Sequence, residues 1–119
     1  MKIAVSGEGR ELTDRVDPRF GRARGFILHD TETGRSEYID NKQNLDSAQG
    51  AGIQSAGNVI DAGAEAVITG NVGPKAYAAL KSASVPVYLF SEGSIGDAIT
   101  AFKNGELEKT SEANVEGHW

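Results

Sequence analysis

The sequence predicts one α/β domain, a five-stranded mixed sheet covered by three helices. Three observations lead there. Short apolar runs bounded by glycine and polar residues mark five strands. Three longer stretches carry apolar residues at helical spacing. A short turn joins two of the strands and forces them antiparallel, while a later strand–helix–strand order forces parallel pairing. The 119 residues fit a single domain, 1–119, which can bury a core without staples.

The elements follow in order. Residues 2–6 form a short β-run that stops at Gly7-Glu8-Gly9. Residues 7–24 are polar, contain glycines and Pro18, and lack periodicity. They predict a long loop, and long loops in compact domains usually serve a function. It is expected to be mobile when empty and to stiffen on binding. Residues 25–30 and 35–40 flank Thr31-Glu32-Thr33-Gly34 and read as a β-hairpin. Residues 41–50 are polar and turn-like. Residues 51–62 place Ile53, Ala56, Val59 and Ile60 near helical spacing, with Gly63 as a stop. Residues 65–69 are a short buried strand. Residues 74–83 open on Pro74, which suits a first helical turn, and set Ala76, Ala79, Leu80 and Ala83 on one face. Residues 85–90 are the last expected strand, with Pro86 near its start. Residues 94–103 form the third helix through Ile95, Ala98, Ile99 and Phe102, and Gly105 ends it. Residues 106–119 read as a mobile tail.

Composition excludes several functions. The chain has no cysteine, so disulfides, thiolate-bound zinc and cysteine-ligated iron–sulfur clusters are ruled out. No apolar stretch approaches membrane-spanning length, and no signal-peptide pattern opens the chain, so a cytoplasmic location is the default expectation. A net charge of −5 argues against general nucleic-acid binding. The distribution is uneven: residues 1–24 hold six basic and four acidic side chains. Arg10, Arg15, Arg19, Arg22 and Arg24 crowd into the loop. Arginine suits oxygen- or sulfur-rich anions because its fork is planar, always charged and weakly hydrated. The plainer alternative is a solvated loop that pairs with its own Glu8, Glu11, Asp14 and Asp17.

In open α/β sheets ligands collect beyond the carboxyl ends of the parallel strands. Three segments should meet there: residues 6–9, the run 69–73 containing Asn71 and Gly73, and the run Ser91-Glu92-Gly93-Ser94. Glycines and helix starts offer N–H groups to anions, although glycine-rich turns are common in any such fold. Gly7-Glu8-Gly9 is no dinucleotide fingerprint, since position 12 is Leu12 and no helix follows. No Walker pattern occurs. His29 alternates with apolar neighbours and His118 lies in the tail, so no catalytic constellation emerges.

The run Val16-Asp17-Pro18-Arg19-Phe20-Gly21-Arg22-Ala23 resembles the signature of the dinitrogenase iron–molybdenum cofactor-binding family, the NifX/NifB-C-terminal-like proteins. Residues 1–5, 50–73 and 114–119 agree with it, so the likeness covers nearly the whole chain. It implies a ribonuclease-H-like fold and a non-enzymatic role. Some members carry nitrogenase cofactor or its precursors between assembly proteins. Stand-alone members in anaerobes hold a molybdenum–copper sulfide cluster non-covalently, and this cysteine-free sequence looks like that type. The resemblance thus implies a carrier of an anionic molybdenum-containing metal–sulfide cluster, with cofactor-assembly or ATPase-type proteins as partners. Arg19 and Arg22 would face the cluster, Phe20 would shield it, Gly21 would shape the loop, and Asn71, Gly73, Ser91 and Ser94 would add donors. Arg19 has a structural alternative, pairing with Asp17. The competing function is an interaction module whose arginine loop docks an acidic partner, with no cluster of its own. A nuclease, suggested by fold analogy alone, would need a carboxylate cluster that the first strand does not supply.

Overall fold

The computed structural model describes residues 1–41, 50–90 and 92–113. Its strands are β1 (Lys2–Gly7), β2 (Gly25–Asp30), β3 (Ser36–Asp40), β4 (Ala66–Thr69), β5 (Val87–Leu89) and β6 (Glu108–Lys109). Its helices are α1 (Ala51–Asp61), α2 (Pro74–Ser82) and α3 (Ile95–Lys103). One mixed sheet runs in the order β3-β2-β1-β4-β5-β6. β1, β4 and β5 are parallel neighbours, while β2, β3 and β6 pair antiparallel.

The sheet has six strands, which corrects the expected five. The additional strand, β6, pairs only Tyr88 with Lys109 and Leu89 with Glu108. It lies within the stretch expected to be a tail. Both its residues are exposed, so it has no apolar face and leaves no alternation to read. The expected strand at 85–90 contracts to Val87–Leu89, with Pro86 just outside it, where a residue without an N–H belongs.

Alternation along β1 divides the core. Ala4 faces α1 and α2 together with Phe26, Leu28, Val67 and Val87, and Val59, Ala76 and Leu80 pack onto them. Ile3 and Val5 face the other way with Ile27, Ala66 and Ile68, covered by Ile95, Ala98 and Ile99 of α3. The molecule is therefore three layers, with two helices on one face and one on the other. The hairpin between β2 and β3 turns as its sequence suggests. Gly34 takes the positive φ of +76° and donates its N–H to the Asp30 carbonyl at 2.8 Å. Asp30 Oδ1 accepts the Glu32 N–H at 2.9 Å.

Candidate functional site

Parallel β1, β4 and β5 end side by side at Gly7, Thr69 and Leu89. Residues 8–24 lie across these ends as a strap. On the α3 face, the Ile95 N–H donates to the Asp14 carbonyl and the Gly96 N–H to the Leu12 carbonyl, both at 2.8 Å. At the sheet edge, the Val16 N–H donates to the Gly93 carbonyl at 3.1 Å and the Asp17 N–H to the Ser6 carbonyl at 2.8 Å. On the α1/α2 face, the Phe20 N–H donates to the Asn71 carbonyl at 3.2 Å, and Asn71 Nδ2 returns a bond to the Pro18 carbonyl at 3.1 Å. The strap thus bonds to β1 and to the junctions that follow β4 and β5. Val16 plugs the core on one face, and Phe20 and Ala23 plug it on the other.

A buried polar pair supports the crossing point. Ser6 and Thr69 are both fully buried, with their hydroxyl oxygens 2.8 Å apart. Ser6 Oγ also lies 2.6 Å from the Asp17 carbonyl, which can only accept. The single Ser6 proton goes to that carbonyl, so the Thr69 hydroxyl supplies the proton between the two side chains. Gly70 follows, and a Cβ there would sit 2.8 Å from Pro18 Cα. The glycine lets the strap press against the end of β4.

The residues singled out in the sequence divide into groups. Arg19 projects from the strap with its side chain 53% exposed. Its Nε lies 3.5 Å from Asp17 Oδ1, and its N–H donates to the same oxygen at 2.9 Å. Asp17, only 4% exposed at its side chain, therefore fixes the base of Arg19 and leaves its fork at the surface. Among the described residues, Asp17 is the one acid of Glu8, Glu11, Asp14 and Asp17 that forms an ion pair with an arginine. Arg22 is half-buried at the end of a single 3₁₀ turn, Phe20–Arg22. Arg10 leaves the group and stacks on the Tyr38 ring at 4.3 Å.

Two expectations change. Phe20 is fully buried, its ring 5.2 Å from that of Phe26, so it anchors the strap from inside rather than forming an exposed apolar rim. Ser94 caps α3: its Oγ accepts the Asp97 N–H at 3.0 Å, and its own N–H donates to Asp97 Oδ2 at 3.2 Å. With Ile95 and Gly96 donating to the strap, the first N–H groups of α3 all have partners. This helix start therefore offers an anion no open donor. Ser91, His118 and the segment 114–119 lie outside the described residues.

The other two helix starts differ. α1 begins at Gly50 and α2 at Gly73-Pro74, neither with a side-chain cap. α1 packs on the arginine turn and α2 packs on α1: a Cβ on Gly21 would lie 3.2 Å from Gly52 in α1, and a Cβ on Gly52 would lie 3.1 Å from the Ala76 Cβ in α2. Gly21 is thus a close-packing glycine. The start of α1 therefore lies against the turn that holds Arg22, and a helix start favours negative charge. Asn71 and Gly73 stand at the β4–α2 junction of this corner. Among the described residues, no three His, Asp or Glu side chains gather as ligands for a bare metal ion. Sequence reasoning placed Ser6 and Thr69 at this edge but not their buried pairing, and it missed the buried polar residues Asn41 and Ser55. The signal available was a polar residue closing an apolar strand.

Fold and site together define a three-layer α/β protein with an arginine strap over the parallel edge of a mixed sheet. The chain belongs to the dinitrogenase iron–molybdenum cofactor family, whose model matches residues 1–105. It is similar to the apo form of the orange protein from Desulfovibrio gigas, with 38% identity, a TM-score of 0.94 and 96% of each chain covered. It also resembles a NifB-like protein from Thermotoga, at 37% identity, a TM-score of 0.85 and 98% of each chain covered. An uncharacterized protein of Methanocaldococcus jannaschii is 34% identical over 114 residues, covering 92% of this chain and 91% of the relative.

Proposed function

We propose that this protein is a non-enzymatic carrier of an anionic, molybdenum-containing metal–sulfide cluster, held without covalent ligands in the cytoplasm. The observation that supports the reading is the packing of the family-signature turn against the uncapped start of α1, which in turn packs on α2, with the Arg19 side chain exposed. The donor set fits such a cargo. A thiomolybdate-type cluster is a bulky, soft polyanion that needs charge-assisted N–H donors rather than thiolates, and the chain has no cysteine. In this reading Arg19 and Arg22 supply the charge, and Asn71 and Gly73 stand at the β4–α2 junction. Phe20 and Gly21 hold the turn in place, and α3 takes no part. The strand order is read as a ribonuclease-H-like sheet put to binding. The cargo is a molybdenum–copper sulfide or an iron–molybdenum cofactor precursor, exchanged with cofactor-assembly or ATPase-type proteins.

The test is an anaerobic titration with tetrathiomolybdate and copper(I), followed by desalting and visible absorption, on wild type and an Arg19→Ala/Arg22→Ala double variant. Colour that co-elutes with wild type at a fixed metal ratio, and is lost from the double variant, is the expected result. No retention by wild type defeats the molybdenum–copper reading. Iron–molybdenum cofactor precursors and an acidic protein partner of the strap would then be tried in its place.

A further inference from the structure

We propose that Asn41 and Ser55 are positioning residues for the arginine turn, fixing the backbone around Arg22 without touching the cargo. The inference rests on the cargo site proposed above. Asn41 follows β3 directly and is fully buried, as is Ser55 on α1. The Asn41 N–H donates to the Arg24 carbonyl at 2.9 Å. Its Nδ2 donates to the Ala23 carbonyl and to Ser55 Oγ, both at 2.9 Å. Ser55 Oγ in turn donates to the Gly21 carbonyl at 3.3 Å. Asn58 Nδ2 completes the set by donating to Asn41 Oδ1 at 2.7 Å.

The carbonyls of residues 21, 23 and 24 are thus each held by Asn41 or Ser55. A carbonyl only accepts, so the network also fixes which way the Asn41 amide faces. The turn itself is one 3₁₀ turn closed by the Arg22 N–H on the Arg19 carbonyl at 3.2 Å. So short a piece does not set its own direction. The peptide plane leading into Arg22 is pinned at both ends, by Ser55 at the Gly21 carbonyl and by Arg19 at the Arg22 N–H. An apolar side chain at position 41 would fill the space but leave the Ala23 carbonyl unpaired. A buried polar network in a site where leucine would pack is explained by the direction it gives the turn.

The test compares wild type with Asn41→Ala, Ser55→Ala and Val59→Ala. The last opens a cavity on the same helix and touches none of these carbonyls. Nitrogen-15 relaxation of the Arg22 Nε–H reads out side-chain order. Order is expected to fall in Asn41→Ala and Ser55→Ala and to hold in Val59→Ala. Tetrathiomolybdate retention should weaken about tenfold in Asn41→Ala, with no further loss when the change is made in an Arg22→Ala background. Unchanged Arg22 order, an equal fall in Val59→Ala, or additive losses of retention overturns the proposal. If wild type retains no tetrathiomolybdate, the molybdenum–copper reading fails, and the relaxation comparison alone decides the positioning role.

Discussion

Pro18 lies so close to Gly70 that a single methyl group decides whether the strap can seat. In Gly70→Ala the new Cβ would meet Pro18 backbone at 2.8 Å, and backbone cannot swing aside as a side-chain tip can. The variant should lose about 1–3 kcal/mol in denaturant unfolding, the range for overpacking a filled site. Because Pro18 immediately precedes Arg19, the displaced strap should carry the arginine with it. Loss of stability alone, with amide shifts confined to residues 69–71, would show that the strap does not depend on this contact. The glycine was legible in the sequence as a residue of the β4–α2 junction, but its reason was not. Glycines there read as room for a ligand, whereas Gly70 and Gly21 make room for neighbouring chain. Sequence gives the missing Cβ and not the atom that occupies the space.

At the level of elements, the strap is the part that changed most between sequence and structure. Its lack of periodicity predicted a loop, and a loop it largely is. Its anchors are a few isolated residues, Val16, Phe20 and Ala23, buried on opposite faces of the sheet. No window-based pattern registers apolar residues that alternate between cores in this way. The three helices were legible through apolar residues at helical spacing, and five of the strands as short runs bounded by glycine and turn residues. The strap and β6 were not, since long-range backbone pairing holds them. In the cargo-free protein, amide exchange at Val16, Asp17 and Phe20 should be slow, like that of β1, and faster at Arg10 and Thr13, for which no such backbone bonds hold the chain. Uniformly fast exchange over residues 10–24 would restore the picture of a loop that orders only on binding.

For the whole molecule, pH provides a test of packing that is independent of any cargo. His29 on β2 faces α3, with Nδ1 2.7 Å from Ser36 Oγ. Burial pushes its pKa below the ordinary value and nearby Lys103 pushes the same way, while Asp30 opposes them. A histidine kept neutral in the fold binds its proton more readily when unfolded. Stability should therefore be level above about pH 7 and fall as pH drops below about 6.5, the value in an unfolded chain. Urea midpoints at pH 7.5 and 5.5 measure this, and His29→Gln should flatten the difference. A slope that survives the substitution would place its origin elsewhere. Asp30 works in a separate window. Its carboxylate is held low first by the Glu32 N–H, so its contribution is present above about pH 4 and lost below it.

The strap has a further consequence in the order of synthesis. Its residues leave the ribosome before most of the sheet, yet its last partners on the α3 face, Gly93 to Gly96, come some eighty residues later. The arginine turn waits for Asn41, Ser55 and Asn71, and residues 12–16 of the strap wait for the final parallel strand and the helix after it. A chain cut short before Gly93 therefore lacks the partners of Leu12, Asp14 and Val16, so half of the strap is seated only in molecules that carry the last helix.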